Sequence, residues 1–418
     1  MSIFERVDGV SPARVSPLSK VIVIDDLKEL LPLSEAYKSV QKRDPDSGVF
    51  LSWEWLFDIF SKNQGGWRLY AVQNSEAPTG YSGFFPVART LHWSETKDEL
   101  QTYYSAAGRL GLSDYVGFVC EPNFETSTIE ALGKHLAKDP WARLSLRYEP
   151  TARRSRIFAD VFEKNDDFSV TWPDYRINKG KTNQLVCPVL ALPPDYETFV
   201  SGLGRRSRKQ LKRYERRLAA LEAPRFSVPK GEQVETDWDK LLELWGLKWD
   251  GQKSTGKVKA LTAKYRDFLD RSHRLGKLFV VSLWDGEKML GSMAHLVDRD
   301  TKTLHSVLEG RDPDCADLGV GTLLHHYAIR QSIRAKCTSY DFGHGDAEYK
   351  YRLGAEDVPV SYLTIRRRSS ATGSVLDPSM CVQALQKVEK YMDADEGAKA
   401  KTSVSQLREA LSRMRVSS

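Results

Sequence analysis

Apolar and polar positions alternate between two periods along this chain, and the switches between them outline its elements. Residues 21–24 are a short apolar run that predicts a strand, and Leu27, Leu30, Leu31, Tyr37 and Val40 then recur at helical spacing behind Asp25 or Asp26 as cap. Asp44-Pro45-Asp46-Ser47-Gly48 ends that pattern, after which Ser52 caps a helix with Trp53, Leu56 and Phe60 on one side. Such an aromatic stripe predicts core. Residues 67–73 and 81–90 flank a Pro-Thr-Gly turn and predict a hairpin. A strand at 115–120, a helix at 126–138, a strand at 142–148 and extended segments at 168–172 and 183–190 carry the chain into its second half.

There, residues 195–222 read as one helix with Leu211, Tyr214, Leu218 and Leu221 along a stripe. Two more amphipathic helices, 238–249 and 260–273, follow, the first carrying Trp238, Leu241, Leu242, Trp245 and Trp249 on a shared side. The loop between them has Gly-x-x-x-x-Gly-Lys spacing from Gly251 to Lys257. No strand precedes it, and Val258 stands where a P-loop needs Ser or Thr. A meander comes next, 278–283, 289–297 and 303–308, with Asp285-Gly286 as a strong hairpin turn. The chain then runs strand, glycine loop, helix, strand: Glu309-Gly310 ends the first strand, Leu318-Gly319-Val320-Gly321-Thr322 opens a helix, and residues 339–342 form the second strand. Its exit is Gly343-His344-Gly345-Asp346-Ala347-Glu348-Tyr349-Lys350. The first N–H groups of a helix lack intrahelical partners and carry the positive end of its dipole, so this loop is suited to a phosphate.

At 418 residues, 41% hydrophobic and 10% aromatic, the chain is long enough for two packed domains. The net charge of +6 is concentrated: residues 205–217 hold eight bases, from Arg205 to Arg217, against Glu215 alone, a local +7 that leaves 6 − 7 = −1 elsewhere. That excludes a globally basic nucleic-acid binder and isolates one helix as a candidate contact for an anionic acceptor, tRNA or a membrane surface. Five cysteines without a C-x-x-C pair, together with no secretory or membrane-spanning pattern, lead to the expectation of a cytoplasmic protein. His325 and His326, adjacent on a helix, point about 100° apart and cannot share a metal. Asp341, His344 and Asp346 cluster without a second His or a Cys, so no metal is expected.

The glycine loop between two strands, followed by Asp341-Phe342-Gly343-His344-Gly345-Asp346 and then Tyr349-Lys350, resembles the GNAT acyltransferase superfamily, in particular its CelD-like (cellulose biosynthesis protein) branch, related to FemAB-type transferases. Ala316 departs from the resemblance, which places Arg or Gln there. The resemblance covers residues 20–365 and implies an α+β fold of two tandem GNAT-like halves, each a mixed sheet flanked by helices: a degenerate half at 20–180, a catalytic half at 181–368, and a helical or partly disordered tail at 369–418. It implies transfer of an acetyl or longer acyl group from coenzyme A to an amine or hydroxyl, in polysaccharide or envelope biosynthesis, with Leu318, Gly319, Val320, Gly321 and Thr322 holding the acyl-CoA. Glu309 or Asp346 is the expected base, Tyr349 the acid, and Lys350 the group that steadies developing charge. The alternatives are a FemAB-like aminoacyl-tRNA-dependent transferase, with the basic helix touching RNA, and a non-catalytic subunit of a polysaccharide assembly.

Overall fold

A computed structural model describes residues 19–247, 255–368 and 374–417. Trp249, the loop residues Gly251 to Ser254 and the extreme amino terminus lie outside them. The fold is α+β, built on two mixed sheets. The first runs Lys20–Ile24, Trp67–Gln73, Tyr81–Ser94, Glu99–Ala106, Arg143–Glu149, Ser361–Arg367, Phe168–Thr171, and the second Pro224–Ser227, Leu278–Asp285, Lys288–Asp298, Thr303–Arg311, Ser339–Asp341, Val186–Ala191, Glu356–Pro359. Both contain an antiparallel meander followed by one parallel step. In the first sheet that step joins Tyr103–Ser105 to Arg143–Ser145, and in the second it joins Thr303–His305 to Ser339–Asp341. Helix Val320–Arg334 spans the second step, burying Val320, Leu323, Leu324, Ala328, Ile329 and Ile333 as its periodicity predicts.

Several expectations are corrected. The single helix at 195–222 is two, Tyr196–Gly202 and Arg205–Ala219, because Leu203 and Gly204 are extended and Arg208 donates to the carbonyls of Ser201 and Leu203 across the break. The strand at 115–120 shrinks to Val119–Cys120, since Tyr115 (φ +49°) and Gly117 (φ +148°) turn the backbone out of the extended region. Strand Glu99–Ala106, helix Ala152–Glu163 and the return of Ser361–Arg367 into the first sheet were not anticipated. The tail forms helices Cys381–Asp393 and Gly397–Ser417, the first packed through Ala384 against Leu91 and Leu100.

The two halves meet along a seam held by buried polar contacts. Arg271, on helix Thr255–Arg274, is 1% exposed; its guanidinium bonds Asp58 Oδ2 at 2.6 Å and Asp267 Oδ2 at 2.5 Å, and lies over the Trp55 ring. Asp298 accepts the amide of Val49 at 2.8 Å. A buried ion pair is costly to break, so Arg271→Met, which leaves Asp58 with Arg274 at 2.7 Å as its close partner, is expected to lower stability by about 1–3 kcal/mol in urea unfolding, whereas an unchanged midpoint would show that the seam does not depend on it.

Candidate active site

The helix that opens at the glycine loop is preceded by a short turn of helix, Pro313–Leu318, and Gly319 (φ +72°) joins the two. The first backward bond runs from Leu323 N to Gly319 O, so the amides of Val320, Gly321 and Thr322 stand at the open end of the helix. Both glycines are also demanded by packing. A Cβ on Gly319 would lie 2.5 Å from the Tyr214 ring, and one on Gly321 would lie 2.3 Å from Glu309 Oε1. Arg217 completes the contact by donating to the carbonyl of Asp317. The basic helix therefore lies directly on the glycine loop, and a phosphate would meet the amides of residues 320–322 rather than the face of Gly319.

Glu309 stands 2.9 Å from Arg311 Nε, without the angle of a hydrogen bond. Both line a cavity of about 340 Å³ with Leu244, Leu247, Ala316 and Val320. Tyr349 stacks on His325 (centroids 5.4 Å, 28° apart) and touches Phe342 at 6.3 Å between centroids. Although its ring is 42% exposed, burial of the hydroxyl and the nearby Glu309 charge push its pKa up, so it stays protonated. His325 in turn bonds the Tyr340 hydroxyl at 2.8 Å while His326 bonds Tyr196 at 2.9 Å, so the two histidines do point apart.

Asp346 does not pair with Lys350, four residues on. Helix Glu348–Arg352 starts too late for Asp346 to lie in its first turn, and Asp346 Oδ1 instead accepts the amide of Asn183 at 2.8 Å. Lys350, 3% exposed, donates to the carbonyls of Gly343 at 2.8 Å and His344 at 2.9 Å. Burial pulls its pKa down to about 8.

Sequence reasoning missed His305. Its Nδ1 lies 3.0 Å from Asp341 Oδ2, so the aspartate cluster does have a second histidine, though no group of metal-ligating side chains forms among the described residues. The pairing depends on the parallel register of strands 36 residues apart, which no local pattern reveals. Across the seam Asp114 lies 3.6 Å from His344 Nδ1 and 3.8 Å from Arg109. Burial favours its neutral form, yet His344 and Arg109 hold its pKa below the usual value.

Lys350 gives a test of this geometry. Its pKa falls on folding from 10.5 to about 8, so between those values the unfolded chain binds the extra proton and stability rises with pH. The stability difference between wild type and Lys350→Met is expected to widen by about 1–3 kcal/mol across that window. A difference independent of pH would show that the amine is not held in this environment.

Residues 205–351 match the family model described as an acetyltransferase (GNAT) domain. No curated protein matches the chain. Among solved structures, FemX superposes with a TM-score of 0.53 at 11% identity, covering 79% of this chain and 95% of its own. A conserved protein of unknown function from Bacteroides thetaiotaomicron gives 0.49 at 9% identity, covering 84% and 100%. A tandem GNAT protein from the clavulanic acid biosynthesis pathway gives 0.46 at 7%, covering 84% and 100%. At these identities the superposition with FemX speaks for the fold alone, and the acetyltransferase (GNAT) resemblance is carried by residues 205–351.

Proposed function

We propose that the chain transfers an acyl group from an activated donor to an amine or hydroxyl, with the catalytic half running from 181 to 360, short of the 181–368 expected because Ser361–Arg367 belongs to the first sheet. The observation that carries this reading is the splay of the parallel pair. The register of Thr303–Arg311 with Ser339–Asp341 ends at His305 and Asp341, and the open end of helix Val320–Arg334 lies against the far end of the first strand, with Gly321 on Glu309. A carbonyl lying in that gap has helix amides on one side and the Tyr349 hydroxyl beside it. Acyl-CoA is the first donor to consider: the amides of Val320, Gly321 and Thr322 would hold its pyrophosphate, and bound coenzyme A would supply the thioester. Tyr349, kept protonated, would give its proton to the leaving group, and Lys350 would add positive charge near the exit. Asp346, engaged with Asn183, fits a structural role, and Glu309 with Arg311 fits one in lining the cavity.

A second donor class, aminoacyl-tRNA, is supported by the basic helix. Among the described residues none of Arg205, Arg206, Arg208, Lys209, Lys212, Arg213, Arg216 and Arg217 has an acidic partner within 4.0 Å, although arginines elsewhere, such as Arg43, Arg153 and Arg274, are paired. Arg206, Lys209, Arg213 and Arg216, with Arg352, border a groove of about 250 Å³ next to the Tyr349 helix. The setting in polysaccharide or envelope biosynthesis and a cytoplasmic location remain part of the proposal; among the described residues no helix is long and apolar enough to cross a membrane.

Calorimetry with acetyl-CoA and filter binding with alanyl-tRNA separate the two donors. Saturable acetyl-CoA binding that Gly321→Val weakens at least about tenfold supports the first, because a Cβ at that position forces Glu309 off the loop. RNA binding that falls steeply with salt, with a slope reduced in the quadruple variant Arg205→Gln, Arg208→Gln, Lys209→Gln, Lys212→Gln, supports the second. If neither molecule binds, the acyl-transfer reading fails.

A further inference from the structure

The last residue pair before the strands part is His305 with Asp341. We propose that His305, oriented by Asp341, is the base that takes the proton from the acceptor, and that the acceptor reaches the splay from the seam between the two halves. The inference rests on the acyl-transfer reading above and deepens it.

Position argues for His305 over the carboxylates. Glu309 lies four residues further along the strand, about 13 Å away at the rise of an extended chain, and on the other face. Its carboxylate sits over Gly321, while the His305 ring packs on Phe50 and Tyr115 of the first half, with centroids 5.6 and 5.8 Å away. Chemistry argues the same way. With Nδ1 bound to Asp341, the imidazole presents Nε2, which is buried and without a partner among the described residues. Two further buried hydroxyls, those of Tyr115 beside Asp341 and Cys187 and of Tyr362 beside Tyr148, belong to the same seam. Buried polar atoms are normally satisfied, so the unpartnered Nε2 of His305 points to a missing occupant. Tyr148, which stacks on His344 at 4.5 Å, and Tyr115 both hold positive φ, +59° and +49°. Bulky residues adopt that conformation only under constraint, and such strain gathers at functional sites. The Tyr115 ring packs on that of His305, and on this proposal the acceptor displaces it on entry.

In the step itself the acceptor nitrogen or oxygen attacks the acyl carbon, and its proton passes to Nε2 of His305. The new C–N or C–O bond forms as the donor's C–S bond, or C–O bond in an aminoacyl ester, breaks, and the departing atom takes a proton from Tyr349. Acid and base then stand on opposite faces of the splay. Burial alone would lower the pKa of His305, but Asp341, aided by Asp298 and Asp114, outweighs it and raises the value. Lys350, His344 and Arg109 face those carboxylates from the exit and the seam. A base must be neutral, so turnover should rise with pH through this raised pKa.

The test uses the full chain with acetyl-CoA as donor, hydroxylamine as acceptor and released thiol as the readout; if acetyl-CoA does not bind, alanyl-tRNA replaces it and alanyl hydroxamate is measured. His305→Gln should lower kcat at least about 100-fold with donor affinity unchanged. His305→Gly should regain turnover when imidazole is added, which guards against a variant that merely folds poorly. Asp341→Asn should move the acid limb of the kcat profile to lower pH. Turnover of a folded His305→Gln within about threefold of wild type, or an unmoved limb in Asp341→Asn, overturns the assignment while leaving acyl transfer standing. Absence of transfer from both donors in wild type overturns acyl transfer, and the base with it.

Discussion

Where the chain leaves the second sheet, every backbone polar group it carries out of a buried strand must find a partner, and that requirement shapes the exit. Phe342 N reaches Pro188 O at 3.1 Å, Gly345 N reaches Val186 O at 2.9 Å and Asp346 N reaches Asn183 O at 3.3 Å. Asp341 Oδ1 takes the amide of Gly343 at 2.7 Å, and Lys350 satisfies the carbonyls of Gly343 and His344. Gly343 and Gly345 sit at φ +66° and +93°, where a side chain would be strained. The run from Asp341 to Lys350 is thus a backbone solution first. The same solution buries an amine and turns Asp341 Oδ2 toward His305.

The same bookkeeping marks what the sequence could reveal. The hairpin, the meander and the glycine-loop helix were legible because their periods are local and their turns carry Gly or Pro at the right places. Helix Ala152–Glu163 was hidden by Arg154, a charged residue that is 1% exposed because its guanidinium meets Asp44 at 2.7 Å and Glu125 at 2.7 Å. A pattern reader scores arginine as surface. The return of Ser361–Arg367 to the first sheet is a topological choice made by pairing with Arg143–Glu149, and no property of the strand's own residues announces it. In the site, Lys350 and Tyr349 could be singled out from the resemblance of the strand exit, whereas the partner of each is set by tertiary structure: two carbonyls for one, the His325 ring for the other.

The glycine loop shows how one feature answers two demands. Gly319 is required by Tyr214 and Gly321 by Glu309, so neither glycine by itself identifies a phosphate site. What distinguishes the region is charge. The basic helix buries Leu211 and inserts Tyr214 against the loop, turning seven exposed or half-exposed bases and Arg217 toward solvent and the exit helix without acidic partners nearby. Repulsion among those bases opposes folding, and helix packing must offset it. Such an arrangement is relieved when an anion settles on it.

Comparison of the two halves bears on the chemistry. Both sheets contain a parallel step that opens, yet they fill the opening differently. In the first half Val116 and Phe118, each 1% exposed, join Ala106, Leu144 and Leu146 in one apolar cluster beside the step. In the second half the corresponding place holds His305, Asp341 and Lys350. An apolar filling stabilises by removing hydrocarbon from water, whereas a buried lysine with its pKa drawn down to about 8 costs stability at neutral pH. One plan thus occurs twice in the chain, once closed with hydrocarbon and once kept polar against its own stability. Local choices that conflict with stability in this way concentrate at functional sites, and the conflict here lies in the second splay.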